Sequence, residues 1–86
     1  MTVGYSKKFK RQYKKLPKGI QDKFNERLIL FLNNQRNSTL GVHRLHGRLK
    51  NLYSMRVTGD VRAIFDEVNS NTVEFVAIGS HSELHS

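Results

Sequence analysis

A chain of 86 residues with 37% hydrophobic content is large enough for one modest core, and is expected to form a single domain over residues 1–86. It has no cysteine, which excludes disulfides and thiolate–zinc sites and fits a reducing, cytoplasmic setting. No apolar run approaches the roughly 20 residues of a membrane span, and no apolar segment follows the basic N-terminus as in a signal peptide, so no membrane partner is expected.

The net charge of +8 is unevenly placed. Residues 1–50 hold thirteen Lys and Arg against Asp22 and Glu26, whereas residues 51–86 hold two Arg against five acids. A strongly basic half favours a polyanionic partner: RNA, DNA or an acidic protein segment.

Thr2–Tyr5 reads as a short first strand. Ser6 is a helix N-cap, and Phe9, Tyr13 and Leu16 follow at spacings of four and three, an apolar stripe on one helix face. Lys7, Lys8, Lys10, Arg11, Lys14 and Lys15 make the opposite face basic, and Pro17 and Gly19 punctuate the end. A second helix is predicted from about Lys18 to Asn34, with Ile20, Phe24, Leu28, Phe31 and Leu32 facing the core. The short link makes the two an αα-hairpin.

Residues 33–39 are polar and turn-like. Strands are then expected at about Val42–Leu45, Leu52–Thr58, Val61–Val68 and Thr72–Ile78. Gly59-Asp60 and Asn69-Ser70-Asn71 are the hairpin signals. Tyr53, Met55 and Val57 alternate with Ser54 and Arg56, and Ala63 and Phe65 with Arg62 and Ile64, giving one buried and one open face. The fold class is α+β: a short N-terminal strand and an αα-hairpin packed on a small, mainly antiparallel sheet, summarised as β-α-α-β-β-β.

The polar residues His43, His46, Arg56, Asp60, Arg62, His81 and His85 fall at or near strand ends. Histidine changes charge near neutral pH and suits proton transfer, while the planar guanidinium of arginine suits phosphate. Together, beside a carboxylate in a basic chain, they make RNA cleavage the leading chemistry.

Four segments in order carry a resemblance over essentially the entire chain. They are His43-Arg44-Leu45-His46-Gly47, Tyr53-x-x-Arg56-Val57, Asp60-Val61-Arg62-Ala63-Ile64-Phe65 and Ile78-Gly79-Ser80-His81-Ser82-Glu83-Leu84-His85. The layout resembles the RelE/ParE superfamily of bacterial toxin–antitoxin toxins, and within it the YafQ-like and RelE-like mRNA interferases. The resemblance implies a ribosome-dependent endonuclease that cuts mRNA in the A site, needs no metal or other cofactor, and is silenced by a cognate acidic antitoxin. His43, Asp60 and His81 match YafQ-like active-site positions. Arg56 falls where that branch has histidine and the RelE-like branch lysine, Arg62 matches an arginine of RelE-like toxins, and His85 sits where YafQ-like toxins carry an aromatic residue. No Trp follows Asp60, and the longer C-terminal segment of RelE is missing. A ParE-like inhibitor of DNA gyrase without catalysis, or an inactive relative, is the competing reading.

Metal-free cleavage needs a base for the ribose 2′-hydroxyl, cations for the charge at phosphorus and an acid for the departing 5′-oxygen. His81 is the leading acid or base. Asp60 is a base or an orienting group, although Gly-Asp is also an ordinary turn. Arg56 and Arg62 are the phosphate clamp, and His43 positions RNA or joins proton transfer. His46 points to the opposite face of a regular strand. His81 and His85 have the i, i+4 spacing of a metal pair, but nothing completes such a site, and no metal is expected. Lys7, Lys8, Lys10, Arg11, Lys14, Lys15, Arg44 and Arg48 are the RNA-facing cations, giving affinity without sequence choice.

Overall fold

The computed structural model describes residues 1–45 and 51–84. Strand β1 (Thr2–Tyr5) leads directly into helix α1 (Lys7–Lys14). Ser6 starts that helix because its hydroxyl accepts the Phe9 amide at 3.0 Å, satisfying one of the otherwise orphaned first-turn donors. The same hydroxyl donates to the Val76 carbonyl at 3.1 Å, so the cap also ties the helix start to the sheet. α1 ends at Lys14, and Leu16 lies just beyond it while still packing on the core. Helix α2 (Lys18–Asn33) follows after Pro17, which stands at its N-cap.

Past a short 3-10 turn at Ser38–Leu40 come β2 (His43–Arg44), β3 (Leu52–Arg56), β4 (Val61–Asn69) and β5 (Thr72–Ser80), then the four-residue helix α3 (His81–Leu84). Four strands thus follow the helical pair, one more than β-α-α-β-β-β names. All four match expected segments, the first of them, β2, being only two residues long. The sheet order is β1-β5-β4-β3-β2, with β1 parallel to β5 and every other pair antiparallel.

The helices cover one face of this sheet. All five phenylalanines (Phe9, Phe24, Phe31, Phe65 and Phe75) are buried there with Leu40, Met55, Val57, Val73 and Ile78. Phe75 is the hub, its ring centroid 5.3–6.0 Å from those of Phe24, Phe65, Phe9, Phe31 and Tyr5. Leu32 departs from the expected core stripe: it is 48% exposed. Phe31 already occupies the inward direction of the last turn, and the next residue is rotated about 100° away.

The outer face follows from the register. His43 stands opposite Ser54, Ser54 opposite Ile64, and Ile64 opposite Ala77. Two residues toward one end, Arg56 stands opposite Arg62, and Arg62 opposite Gly79. Toward the other end, Leu52, Asp66 and Glu74 are aligned. Among the described residues the outer face is therefore basic at one end and acidic at the other. A register shift between Ile64 and Phe65 leaves Val76 as the additional residue of β5, so that Phe75 and Ile78 both face inward.

Candidate functional site

Three connections converge on the basic end of the outer face. The β3–β4 turn is organised by Thr58, whose Oγ1 accepts the Val61 amide at 3.0 Å and the Asp60 amide at 3.3 Å, holding Asp60 at the exposed tip. The Asp60 carbonyl accepts the His81 amide at 2.9 Å, which fastens the start of α3 to this turn. Gly41, in the left-handed region with φ +53°, ends the 3-10 turn and aims the chain into β2, where His43 lies exposed.

His81 is held by a reciprocal cap. The Ser80 amide donates to Glu83 Oε1 at 2.8 Å, and the Glu83 amide donates to Ser80 Oγ at 3.2 Å, so Ser80-His81-Ser82-Glu83 is a capping box. The hydrogen bond from the Ser80 amide, and after it one from the Ser80 side chain, hold the exposed Glu83 carboxyl below the usual glutamate pKa. A lowered folded-state pKa gives stabilisation that is complete above the unfolded value of about 4.3 and lost as pH falls through the lower folded value. The Ser80 amide resonance should therefore titrate below about pH 4.3 in an NMR pH series. A midpoint at or above that value would show that the cap is not formed. Gly79 explains how α3 fits against the sheet: a Cβ there would stand 3.2 Å from Glu83 Oε1 and 3.7 Å from Leu84 Cδ2.

The two arginines lean apart. Arg62 Nη1 donates to the Thr58 carbonyl at 3.0 Å and reaches the Gly59 carbonyl at 3.5 Å, along its own turn. The Arg56 guanidinium lies against Gly41 on the other side, where a Cβ on Gly41 would stand 3.0 Å from Nη2. Among the described residues the ion pairs are Lys18–Asp22 and Lys23–Glu26, both on α2, so neither outer-face arginine meets a carboxylate. Like charges placed opposite one another across a ladder destabilise a sheet, which makes this pair costly unless an anion joins it.

The structure thus places His43, Arg56, Asp60, Arg62 and His81 at one end of the sheet, spread across β2 to β5, all but the half-buried Arg62 being exposed. It separates Arg44 from them: Arg44 stands opposite the inward-facing Tyr53, so strand alternation puts it on the other face from His43. Lys7, Lys8, Lys10, Arg11, Lys14 and Lys15 are exposed on the helical layer. The end of that stripe approaches the site, Lys15 lining a cleft with Gly79 and Glu83. Lys10 and Lys14 flank an open groove of about 520 Å³ floored by Tyr5, Phe9, Tyr13 and Phe24. His46, Arg48 and His85 lie outside the described residues. Among the described residues no three His, Asp or Glu side chains gather as a metal site would require, and no helix is long and apolar enough to cross a membrane.

Gly41, Thr58, Gly79 and the Ser80–Glu83 box are the contributors that sequence reasoning missed. The box was readable as an S-x-x-E pattern, whereas the closeness of Gly41 to Arg56 depends on strand pairing.

The fold is the small α+β arrangement shared by solved toxin structures of RelE and YafQ type. The family model described as "bacterial toxin of type II toxin-antitoxin system, YafQ" matches residues 1–86, and the chain belongs to that family. Among solved structures, YafQ from E. coli strain BL21(DE3) is 20% identical with a TM-score of 0.82, over 98% of this chain and 97% of that one. The E. coli DinJ–YafQ toxin–antitoxin complex matches at 22% identity and TM-score 0.81, over 98% and 96% of the two chains. The RelB–RelE antitoxin–toxin complex from Methanococcus jannaschii matches at 20% and 0.78, over 98% and 96%. No curated protein matches the sequence.

Proposed function

We propose that this YafQ-family toxin is an endoribonuclease that cuts mRNA in the ribosomal A site by metal-free attack of the ribose 2′-oxygen. The observation that carries the reading is the opposed pair Arg56 and Arg62, unpaired with any carboxylate among the described residues, with His43, Asp60 and His81 at the same end of the sheet. In the reaction the 2′-hydroxyl loses its proton to a base as its oxygen bonds to phosphorus. The P–O5′ bond breaks, and the 5′-oxygen takes a proton from an acid. The products are a 2′,3′-cyclic phosphate and a 5′-hydroxyl. His43, Asp60 and His81 are the proton carriers, and the guanidinium groups hold the charge developing on the phosphoryl oxygens. The exposed cations of α1 serve ribosomal RNA, whose phosphates they would contact without reading sequence.

A cognate antitoxin is the second partner. The aromatic groove between Lys10 and Lys14 supports an acidic segment with apolar anchors as its occupant, since both its charge and its floor are complementary to such a chain.

The test is 3′-end mapping of mRNA held in the A site of purified ribosomes, with and without EDTA. Cuts that need ribosomes and survive EDTA are expected; intact mRNA in the presence of folded protein would overturn the reading.

The arginine pair gives a further expected result. Replacing Arg56 by Gln should lower the cleavage rate by about 10–100-fold through loss of charge-assisted hydrogen bonds. It should also raise the stability of the free protein by about 0.2–1 kcal/mol by removing like-charge opposition. Single-turnover rates and thermal melts read the two effects. A variant that is less active and also less stable would mean that Arg56 serves the fold.

A further inference from the structure

We infer that Gly41 is the positioning residue of this site, setting the tautomer of His43 through its carbonyl and seating Arg56 through its missing side chain. The inference rests on the endoribonuclease reading for its catalytic meaning, but not for its geometry. His43 Nδ1 lies 3.2 Å from the Gly41 carbonyl oxygen. A carbonyl oxygen only accepts, so this contact requires the proton on Nδ1 and leaves Nε2 bare as the proton acceptor in the neutral ring. That tautomer is the less common one for an imidazole in water, so the backbone of Gly41 selects it.

The same residue shapes the phosphate clamp. Its backbone is left-handed, with φ +53°, and an added Cβ would stand 3.0 Å from Arg56 Nη2, 3.1 Å from Cζ and 3.4 Å from Nη1. A side chain at position 41 must therefore shift the guanidinium by a few tenths of an ångström from the seat it now takes, on a backbone that itself strains any residue but glycine. His43 and Arg56 share the outer face, His43 standing opposite Ser54 and Arg56 two residues along the same strand. One glycine thus couples a proton acceptor to an anion-binding group. In the proposed reaction the acceptor faces the ribose hydroxyl while the guanidinium holds the neighbouring phosphate.

The two roles separate experimentally. Asparagine tolerates the left-handed conformation, so Gly41→Asn keeps the carbonyl in place but crowds Arg56. Long-range proton–nitrogen NMR at about pH 8.5, two units above the ordinary imidazole value, reads the tautomer of His43 directly. The Nδ1–H form is expected in the wild-type protein and in Gly41→Asn; an Nε2–H form in the wild type would overturn the inference whether or not the protein cuts RNA. On ribosome-held mRNA, Gly41→Asn should slow cleavage about tenfold, and should add less than about twofold in an Arg56→Ala background, because the loss acts through Arg56. Equal losses in the two backgrounds would overturn the coupling. A chain that shows the Nδ1–H form and cuts nothing would uphold the geometry while sinking the endoribonuclease reading.

Discussion

Replacing His81 by alanine should lower ribosome-dependent mRNA cleavage by about 10²–10⁴-fold, the range that a positioned proton-transfer group contributes. The fold should survive the change. His81 is attached to the β3–β4 turn by its backbone amide, which donates to the Asp60 carbonyl and is present in any residue except proline. The Ser80–Glu83 cap likewise uses none of the imidazole. Single-turnover cleavage measured beside a thermal melt separates the chemical from the structural consequence. Cleavage retained within about threefold would remove His81 from proton transfer. Collapse of the melt would mean that the imidazole itself holds the end of the sheet together.

The second large effect is structural. Phe75→Ala should cost about 3–5 kcal/mol, because the lost ring leaves a cavity among five aromatic neighbours on two strands and both long helices. A domain of this size has only about 5–15 kcal/mol of stability, so the variant should be partly unfolded near ambient temperature. Denaturant titration measures the loss. A cost below about 1 kcal/mol would mean that the surrounding rings collapse into the space, contrary to the close packing of their centroids.

The elements that could be read from sequence were those set by local rules. Phe9 and Tyr13 mark the inward face of α1, Ser6 its cap, and the alternation of Tyr53, Met55 and Val57 with Ser54 and Arg56 its counterpart in β3 and the residue just after it. The strand-end histidines His43 and His81, with Arg56, Asp60 and Arg62, were also legible as candidates by residue type and position. What was not legible depends on distant pairing. Nothing in residues 2–5 announces that β1 runs parallel to β5, a contact across about seventy positions. Arg44 was grouped with the other cations by composition, yet a one-residue offset from His43 turns it to the opposite face. Leu32 fitted the helical period but fell at the end of α2, where no further layer covers it. Gly41 carried no signal of its own, because only the register places Arg56 beside it.

The alignment of Asp66 with Glu74 at the far end of the outer face has a consequence for how long a substrate the sheet can carry. Four residues separate Arg62 from Asp66 along β4, about 13 Å of extended chain. That exceeds the physiological screening length of about 8 Å, so the acids leave the attraction at the arginine end largely intact while repelling any phosphate that advances toward them. An RNA strand following the sheet lengthwise would run onto this acidic barrier within two or three nucleotides. A strand crossing the tips of β3, β4 and β5 would not. On the proposed RNA-cutting reading, the described part of the face is a short platform with acids behind it, suited to gripping a few nucleotides and poorly suited to threading along free RNA.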